Sequence, residues 1–309
     1  MDQLRARRKA GSTGSFSARD LRALRAKARR RPNDFTQTVP LMTLEELVSA
    51  KIASGDPYSL RWKKKAPPQI AFQLEYDTEA ALYAGFEPNA LNAYADTLRR
   101  CWSLFGIGRG DRVAIFDYGT SPVSYLASRS FTPYLRSGAA DSLSCLPVCN
   151  DGAANLSQRA VDIVRFVRPR VLFLRADCLH PFAAEIENRS VSLSSCLEAL
   201  VLVENEAVVT AAARDSYQAQ FGVPVYRLLR ADAAMFLAPE CARCGLFHIW
   251  SDLYHVEILV PDGEDRKGRL VITNWFAASF RAIRYLSQVE GVLEPRGCPA
   301  GAKDLRIRA

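Results

Sequence analysis

No apolar run in this sequence approaches the roughly 20 residues that a membrane-spanning helix needs. The first 32 residues, MDQLRARRKAGSTGSFSARDLRALRAKARRRP, hold no apolar stretch of the kind a secretory signal carries. Membrane insertion and export are therefore not expected, and a cytoplasmic location is. No segment repeats, which argues against a solenoid or propeller. Eight cysteines are present, but without a signal the oxidising compartment that would pair them is missing. Most of them, including Cys101, Cys145, Cys149, Cys178 and Cys196, read as core thiols. What is present is an ordinary globular composition, with 49% hydrophobic and 24% charged residues in 309 positions. That is room for one large or two modest domains.

The net charge of +8 is unevenly placed: within residues 1–32, eleven Arg and Lys face only Asp2 and Asp20. The remainder is close to neutral. A basic arm can bind nucleic acid or an acidic surface. Against that, LRALRAKARRR is rich in helix formers and has no interleaved aromatics, so a solvated helix is the plainer reading. Nucleic acid is kept as an alternative partner, and no membrane partner is expected.

Along the chain, VPLMTLEELVSA reads as a helix opened by Thr43 and Glu46 in a capping box. LNAYADTLRRCWSLFG has helical spacing and ends on glycine. RVAIFDYG, RVLFLRAD, LEALVLVEN and VPVYRLL are apolar runs of strand length, separated by helical segments such as QRAVDIVRFVRP, LHPFAAEIENR and DSYQAQFG. This alternation predicts an α/β fold with layered, largely parallel or mixed sheets and helices. After about Ala231 the character changes, and HVEILVPDGEDRKGRLVITNW predicts a hairpin in a smaller β-rich subdomain. The expected division is a basic segment over 1–32, an α/β core over 33–230 and the β-rich part over 231–309.

Several segments, taken in order, resemble the phenylacetate–CoA ligase branch of the adenylate-forming enzymes. VPLMTLEEL is similar to that family's LPxTTKxDL. GIGRGDRVAIFDYG is similar to its GxxxGDxVxxxxxYG, and FRAIRY to its xPLIRY. The stretch ECARCGLFHIWSDLYHVEILVPDGEDRKGRLVITN resembles its EC…GLHxxxDxxxxEIxDPxxG…GELVxT region, and GCPAG its CPCG. The resemblance runs from about Asp34 to the C-terminus and implies the N-terminal domain of a ligase. The family's C-terminal domain, with its catalytic lysine and part of the CoA site, is expected to be absent.

The same resemblance implies that the ATP chemistry is degenerate. The family's phosphate loop, SSGTTGKP, falls on Gln73, Leu74, Glu75, Tyr76, Asp77, Thr78, Glu79 and Ala80. Glycines let backbone N–H groups converge on phosphate oxygens. This stretch has none, and its three carboxylates repel a triphosphate. The YGxTE turn corresponds to LLRADA, where only Asp232 could stand in for the metal-binding carboxylate. The ribose-binding Asp of IRYRTGD falls on Val289. ATP and CoA are therefore not expected as cofactors. The period-two pattern of Ile70, Phe72, Leu74, Tyr76 and Thr78 instead predicts a half-buried strand over QLEYDTEA, with its carboxylates in solvent, no open cleft lined by backbone N–H groups, and AALYAGF as its hairpin partner.

Cys241, Cys244, His248 and Cys298 have the residue types and spacing of a closed, structural zinc site: three thiolates and an imidazole. The resemblance adds that family members place Cys after Glu, His in GLH and two Cys in CPCG. Ala300 occupies the last of these, and Cys244 would replace the lost thiolate. Four unrelated buried thiols and imidazoles are the alternative, and His255, at the start of a strand, is the less favoured competing ligand.

The resemblance thus implies a truncated ligase-like protein in a biosynthetic pathway, acting without ATP. It would bind or tailor an acyl or aryl-acid small molecule, or serve a partner ligase or carrier protein. Tyr118, after the strand 112–119, is the residue placed at the pocket mouth. Asp117, Cys149 and His180 are scattered polar candidates for ATP-free chemistry, with no spacing that selects a triad. The alternative is an active ligase that adenylates a carboxylate and passes it to CoA.

Overall fold

The computed structural model describes residues 18–30, 32–151, 156–207, 209–261, 266–294, 297–299 and 305–309. The predicted basic arm therefore lies largely outside the described residues. A helix over Ala18–Arg30 carries its C-terminal part.

Among the described residues, thirteen strands form three sheets. β1 (Ile70–Gln73) and β2 (Tyr83–Phe86) make an antiparallel pair. β3 (Arg112–Asp117), β4 (Leu146–Asp151), β5 (Val171–Arg175), β6 (Ala199–Asn205), β7 (Val225–Ala231) and β8 (Phe236–Pro239) form a six-stranded sheet in the order β4-β3-β5-β6-β7-β8. All neighbours in it are parallel except β8, which returns antiparallel to β7. The third sheet is antiparallel, in the order β10-β11-β12-β13-β9. It holds β9 (Phe247–Ile249), β10 (Tyr254–Leu259), β11 (Gly268–Asn274), β12 (Tyr285–Glu294) and β13 (Leu305–Arg308). This is the α/β arrangement of layered mixed sheets with a smaller β-rich part that the alternating pattern predicts.

The strands of the large sheet read as unbroken apolar runs because both of their faces are buried. Val113, Ile115, Val171, Phe173, Val201 and Val203 point into one core, shared with Trp102, Tyr94 and the antiparallel sheet. Their neighbours Ala114, Phe116, Leu172, Leu174, Leu200 and Leu202 point into a second core. The helices Leu156–Val167, Leu179–Asn188 and Ala211–Phe221 cover that second face through Val161, Val164, Phe182 and Phe221. The predicted capping box is present: the Glu46 amide donates to Thr43 Oγ1 and the Thr43 amide to Glu46 Oε2, both at 3.2 Å. It opens a helix over Leu44–Ser54, which ends on Gly55 in the left-handed region. Among the described residues, no helix is long and apolar enough to cross a membrane.

Candidate functional site

The stretch Gln73–Ala80 departs from the strand predicted for it. Antiparallel pairing stops at Gln73, opposite Tyr83, and one further bond, from the Leu74 amide to the Leu82 carbonyl at 2.8 Å, closes the pair. The alternation of faces persists through Leu74, which is buried. The ladder ends because Glu75 is drawn inward rather than left in solvent. Its carboxylate accepts from Arg230 Nη2 and, at 3.0 Å, from Thr120 Oγ1. Its backbone carbonyl accepts from Asn205 Nδ2 at 2.7 Å. Tyr76 is pinned as well: its hydroxyl donates to Glu206 and accepts from the Ala233 amide at 3.0 Å. Side-chain bonds, not a ladder, order this segment.

Arg230 is the centre of this arrangement. It enters from the C-terminal end of β7 and is buried. Besides Glu75 it meets Asp117 Oδ2 at 2.9 Å and Asp232 Oδ1 at 3.4 Å, and it donates to Ser121 Oγ. Burial alone would lower the affinity of its guanidinium for the proton, but Asp232, Asp117 and Glu75 together raise it above the ordinary arginine value. In the carboxylates, burial works against the charge: it pushes Asp232 up to about 7, with Arg230 opposing, and raises Asp117 in the same way. Glu206 is also raised by burial, with the hydrogen bonds from Tyr76, the Gln288 amide and Tyr285 acting against the shift. Glu75, Asp117 and Asp232 thus share the Arg230 guanidinium.

Beside this network an open cavity of about 720 Å³ lies at the C-terminal ends of β3, β5, β6 and β7. The residues named on its walls are largely charged, polar and aromatic side-chain types. Folding Glu75 inward onto Arg230 leaves room between Gln73–Asp77 and the sheet. Open α/β sheets place ligands at this end of their strands. Tyr118 is at the cavity, 39% exposed, with the Arg175 guanidinium 3.7 Å from its ring centroid. Gln73 and Asp77 also line it, and both are exposed. Glu204, at the end of β6, lines it while only 2% exposed. Its carboxylate oxygens are closed off from solvent, with the Val209 amide as the donor beside them. Burial pushes its pKa up to about 8, and the Val209 amide and the Arg227 charge offset this only in part.

The remaining polar candidates do not join this site. His180 is exposed on the helix Leu179–Asn188. Cys149 lies on β4, and its side chain is outside the described residues. Val289 is buried in β12 as a core residue. Sequence reasoning missed Arg230, Glu204, Glu206 and Asn205. Their signal was a charged or polar residue closing an apolar strand, in VYRLLRA and LVLVENE; such residues are rarely buried without a partner or a use.

A second site joins distant parts of the β-rich region. The ligand atoms of Cys241, Cys244, His248 and Cys298 all lie within 4.8 Å of one another. Cys241 Sγ is 3.7 Å from Cys298 Sγ, and Cys244 Sγ is 3.4 Å from His248 Nε2. A tetrahedron with Zn–S bonds of ~2.3 Å and Zn–N bonds of ~2.0 Å has edges of about 3.8 and 3.5 Å, so these side chains fit zinc. The turn that presents the first pair closes through the Gly245 amide to the Cys241 carbonyl at 2.8 Å, with Gly245 at φ +65°. Burial pushes the Cys241 thiol up, and a divalent cation would supply the charge that favours the thiolate. Ala300 is outside the described residues. His255 lies apart from the cluster, edge-on to Phe35 with ring centroids 5.5 Å apart.

No protein-family model matches the sequence, and no curated protein matches it by sequence. Solved structures match by shape. A 2-hydroxyisobutyryl-CoA ligase in complex with 2-HIB-AMP and CoA aligns with a TM-score of 0.70 at 16% identity, over 93% of this chain and 63% of that one. An anthranilate CoA ligase in complex with anthranoyl-AMP aligns with a TM-score of 0.52 at 13% identity, over 77% of this chain and 46% of that one. A malonyl-CoA ligase with methylmalonyl-CoA and AMP bound gives 0.51 at 13% identity, over 85% and 64%. The chain has the fold of the adenylate-forming CoA ligases and spans less than two thirds of the length of these three.

Proposed function

We propose that this is a ligase-fold protein of the phenylacetate–CoA ligase type that no longer uses ATP. It would bind a small organic molecule in the cavity at the strand ends, as a tailoring or partner protein in a biosynthetic pathway. The observation that carries this reading is Arg230, buried where the family resemblance puts a nucleotide-contacting turn and bound to Glu75 of the former phosphate-loop segment. A triphosphate would have to displace that pair and approach Glu75 and Asp77. Each like-charge contact at 4 Å costs about 4 kcal/mol at the effective dielectric near a protein surface. The Cys241–Cys244–His248–Cys298 cluster would hold a structural zinc, because four protein ligands leave no open position for a substrate.

A second reading, an active carboxylate-adenylating ligase, is favoured by one observation: the cavity beside Gln73–Asp77 is open. Two measurements separate the readings. Calorimetric titration with magnesium–ATP is expected to give no binding, and micromolar affinity would refute the first reading. Pyrophosphate exchange with a panel of aryl acids is expected to stay at background, and exchange above background would establish the ligase.

A further inference from the structure

The helix Ala18–Arg30 is strongly basic, with Asp20 as its one acid. Its two sides have different fates. Leu21 and Ala28 are buried against Phe35 and Trp275, with Leu24 packed beside them. At about 100° of turn per residue, Arg19, Arg22, Ala23, Ala26, Arg29 and Arg30 fall on the opposite side, and all of them are exposed. The cations on the flanks are tied to the body. Arg25 Nη2 donates to the Asp252 carbonyl at 2.6 Å, and Lys27 Nζ to Thr38 Oγ1 at 3.1 Å. Docking the apolar side therefore holds four arginines in one outward row.

The basic surface continues from the helix onto the body of the protein. Arg281 lies within electrostatic reach of Asp20, and Lys63 is beside Arg281. The Lys63 amide donates to the Ser279 carbonyl at 2.9 Å, and the Arg281 amide to the Arg61 carbonyl at 3.1 Å. Like charges crowd along this band. Burial lowers the pKa of Arg25, Arg29 lowers it further, and Asp252 offsets this in part. Burial and then Arg281 do the same to Lys63. An anionic partner relieves crowding of this kind.

We propose that the face carrying Arg19, Arg22, Arg29 and Arg30 binds the phosphate backbone of double-stranded nucleic acid without reading its sequence. The inference stands apart from both ligase readings. Guanidinium forks match phosphate oxygens in geometry as well as charge. From Arg19 to Arg30 the row is about 16 Å long, the length of about five base-pair steps of a duplex. A membrane surface is a poorer match, because Leu21 and Leu24, which would enter it, are packed in docking the helix. A single strand is poorer too, because only Ala23 and Ala26 stand between the arginines and the row offers no ring for base stacking.

The test is fluorescence anisotropy of the full chain with labelled DNA and RNA duplexes of random sequence. Oligothymidylate is the single-stranded counterpart, and sedimentation with phosphatidylserine vesicles is run in parallel. The duplexes are expected to bind at about 50 mM salt and to weaken at least tenfold by about 200 mM. The combined variant Arg19→Gln, Arg22→Gln, Arg29→Gln and Arg30→Gln is expected to bind at least tenfold more weakly, with a salt slope smaller by about 3–4. The same four positions changed to Lys keep the charge and are expected to keep the slope. All four side chains are exposed, so both variants are expected to melt with the wild type. Changing Arg5, Arg7, Arg8 and Lys9 to Gln instead is expected to have the smaller effect. Binding of one duplex and not the other would support the inference and assign the ligand to DNA or to RNA. The inference is overturned if neither duplex binds at low salt, or if oligothymidylate or the vesicles bind more tightly than the duplexes. It is also overturned if the four-Gln variant keeps the wild-type affinity, or if the changes at Arg5, Arg7, Arg8 and Lys9 alone abolish binding.

Discussion

Arg230 and Glu75 stand 155 positions apart in the chain and meet as a part-buried ion pair. The pair joins the end of a central strand to the segment that follows the small hairpin. It orders that segment through side chains rather than through strand pairing. With Asp117 and Asp232 attached to the same guanidinium, it is the best-connected polar group at the strand ends.

Arg230→Ala should lower stability by about 3–5 kcal/mol, because removing one member of a buried ionic group leaves its partners uncompensated. Urea unfolding at pH 7 would show this as a lower midpoint. Glu75→Gln should cost less, since Asp117 and Asp232 still hold the guanidinium. Equal losses from both variants would mean that Arg230 is not the hub.

Tyr76→Phe removes the hydroxyl that ties Gln73–Ala80 to Glu206 and to the Ala233 amide. Glu206 keeps Tyr285 Oη at 2.7 Å and the Gln288 amide at 2.9 Å, so the expected loss is modest, about 1–3 kcal/mol. The local effect should be larger than the global one. Limited proteolysis should cut the variant first within residues 73–80, and an unchanged digestion pattern would contradict the pinning role.

Purified protein should carry one zinc per chain, measured by elemental analysis, and a strong chelator should lower its melting temperature. Cys298→Ala should lose the metal, because that thiolate brings the segment after β12 to the turn before β9. Zinc content that is low and insensitive to this variant would assign the cluster to buried thiols alone.

Stability should fall between pH 6.5 and pH 8.5. Glu204, up at about 8, and Asp232, up at about 7, bind protons more tightly in the folded chain than in the unfolded one. Their contribution is complete below the ordinary carboxylate range and is lost as pH rises through these raised values. His255, lowered by burial and by Arg284, acts in the opposite sense only at more acidic pH. Thermal melts across the window should show the fall, and Glu204→Gln should flatten it. A wild-type melting temperature that rises with pH would contradict the assignment.

The amino-acid sequence by itself determined the layered α/β architecture, the capping box at Thr43 and Glu46, and the local spacing of Cys241, Cys244 and His248. These rest on periodicity, capping and short spacings, which act between residues a few positions apart. The alternation in Ile70 to Leu74 was equally legible, but the fate of Glu75 was not. A carboxylate on the polar side of a strand pattern has solvent as its default partner, and only the sheet order β4-β3-β5-β6-β7-β8 brings the end of β7, and so Arg230, within reach of it. The same holds for Glu204 and for Cys298. An apolar run that closes on a charge, or a cysteine near the chain end, states that a partner is needed. Which partner arrives, or whether the place is left for a ligand, is decided by long-range strand pairing, because the electrostatic gain depends on a distance that no local pattern encodes.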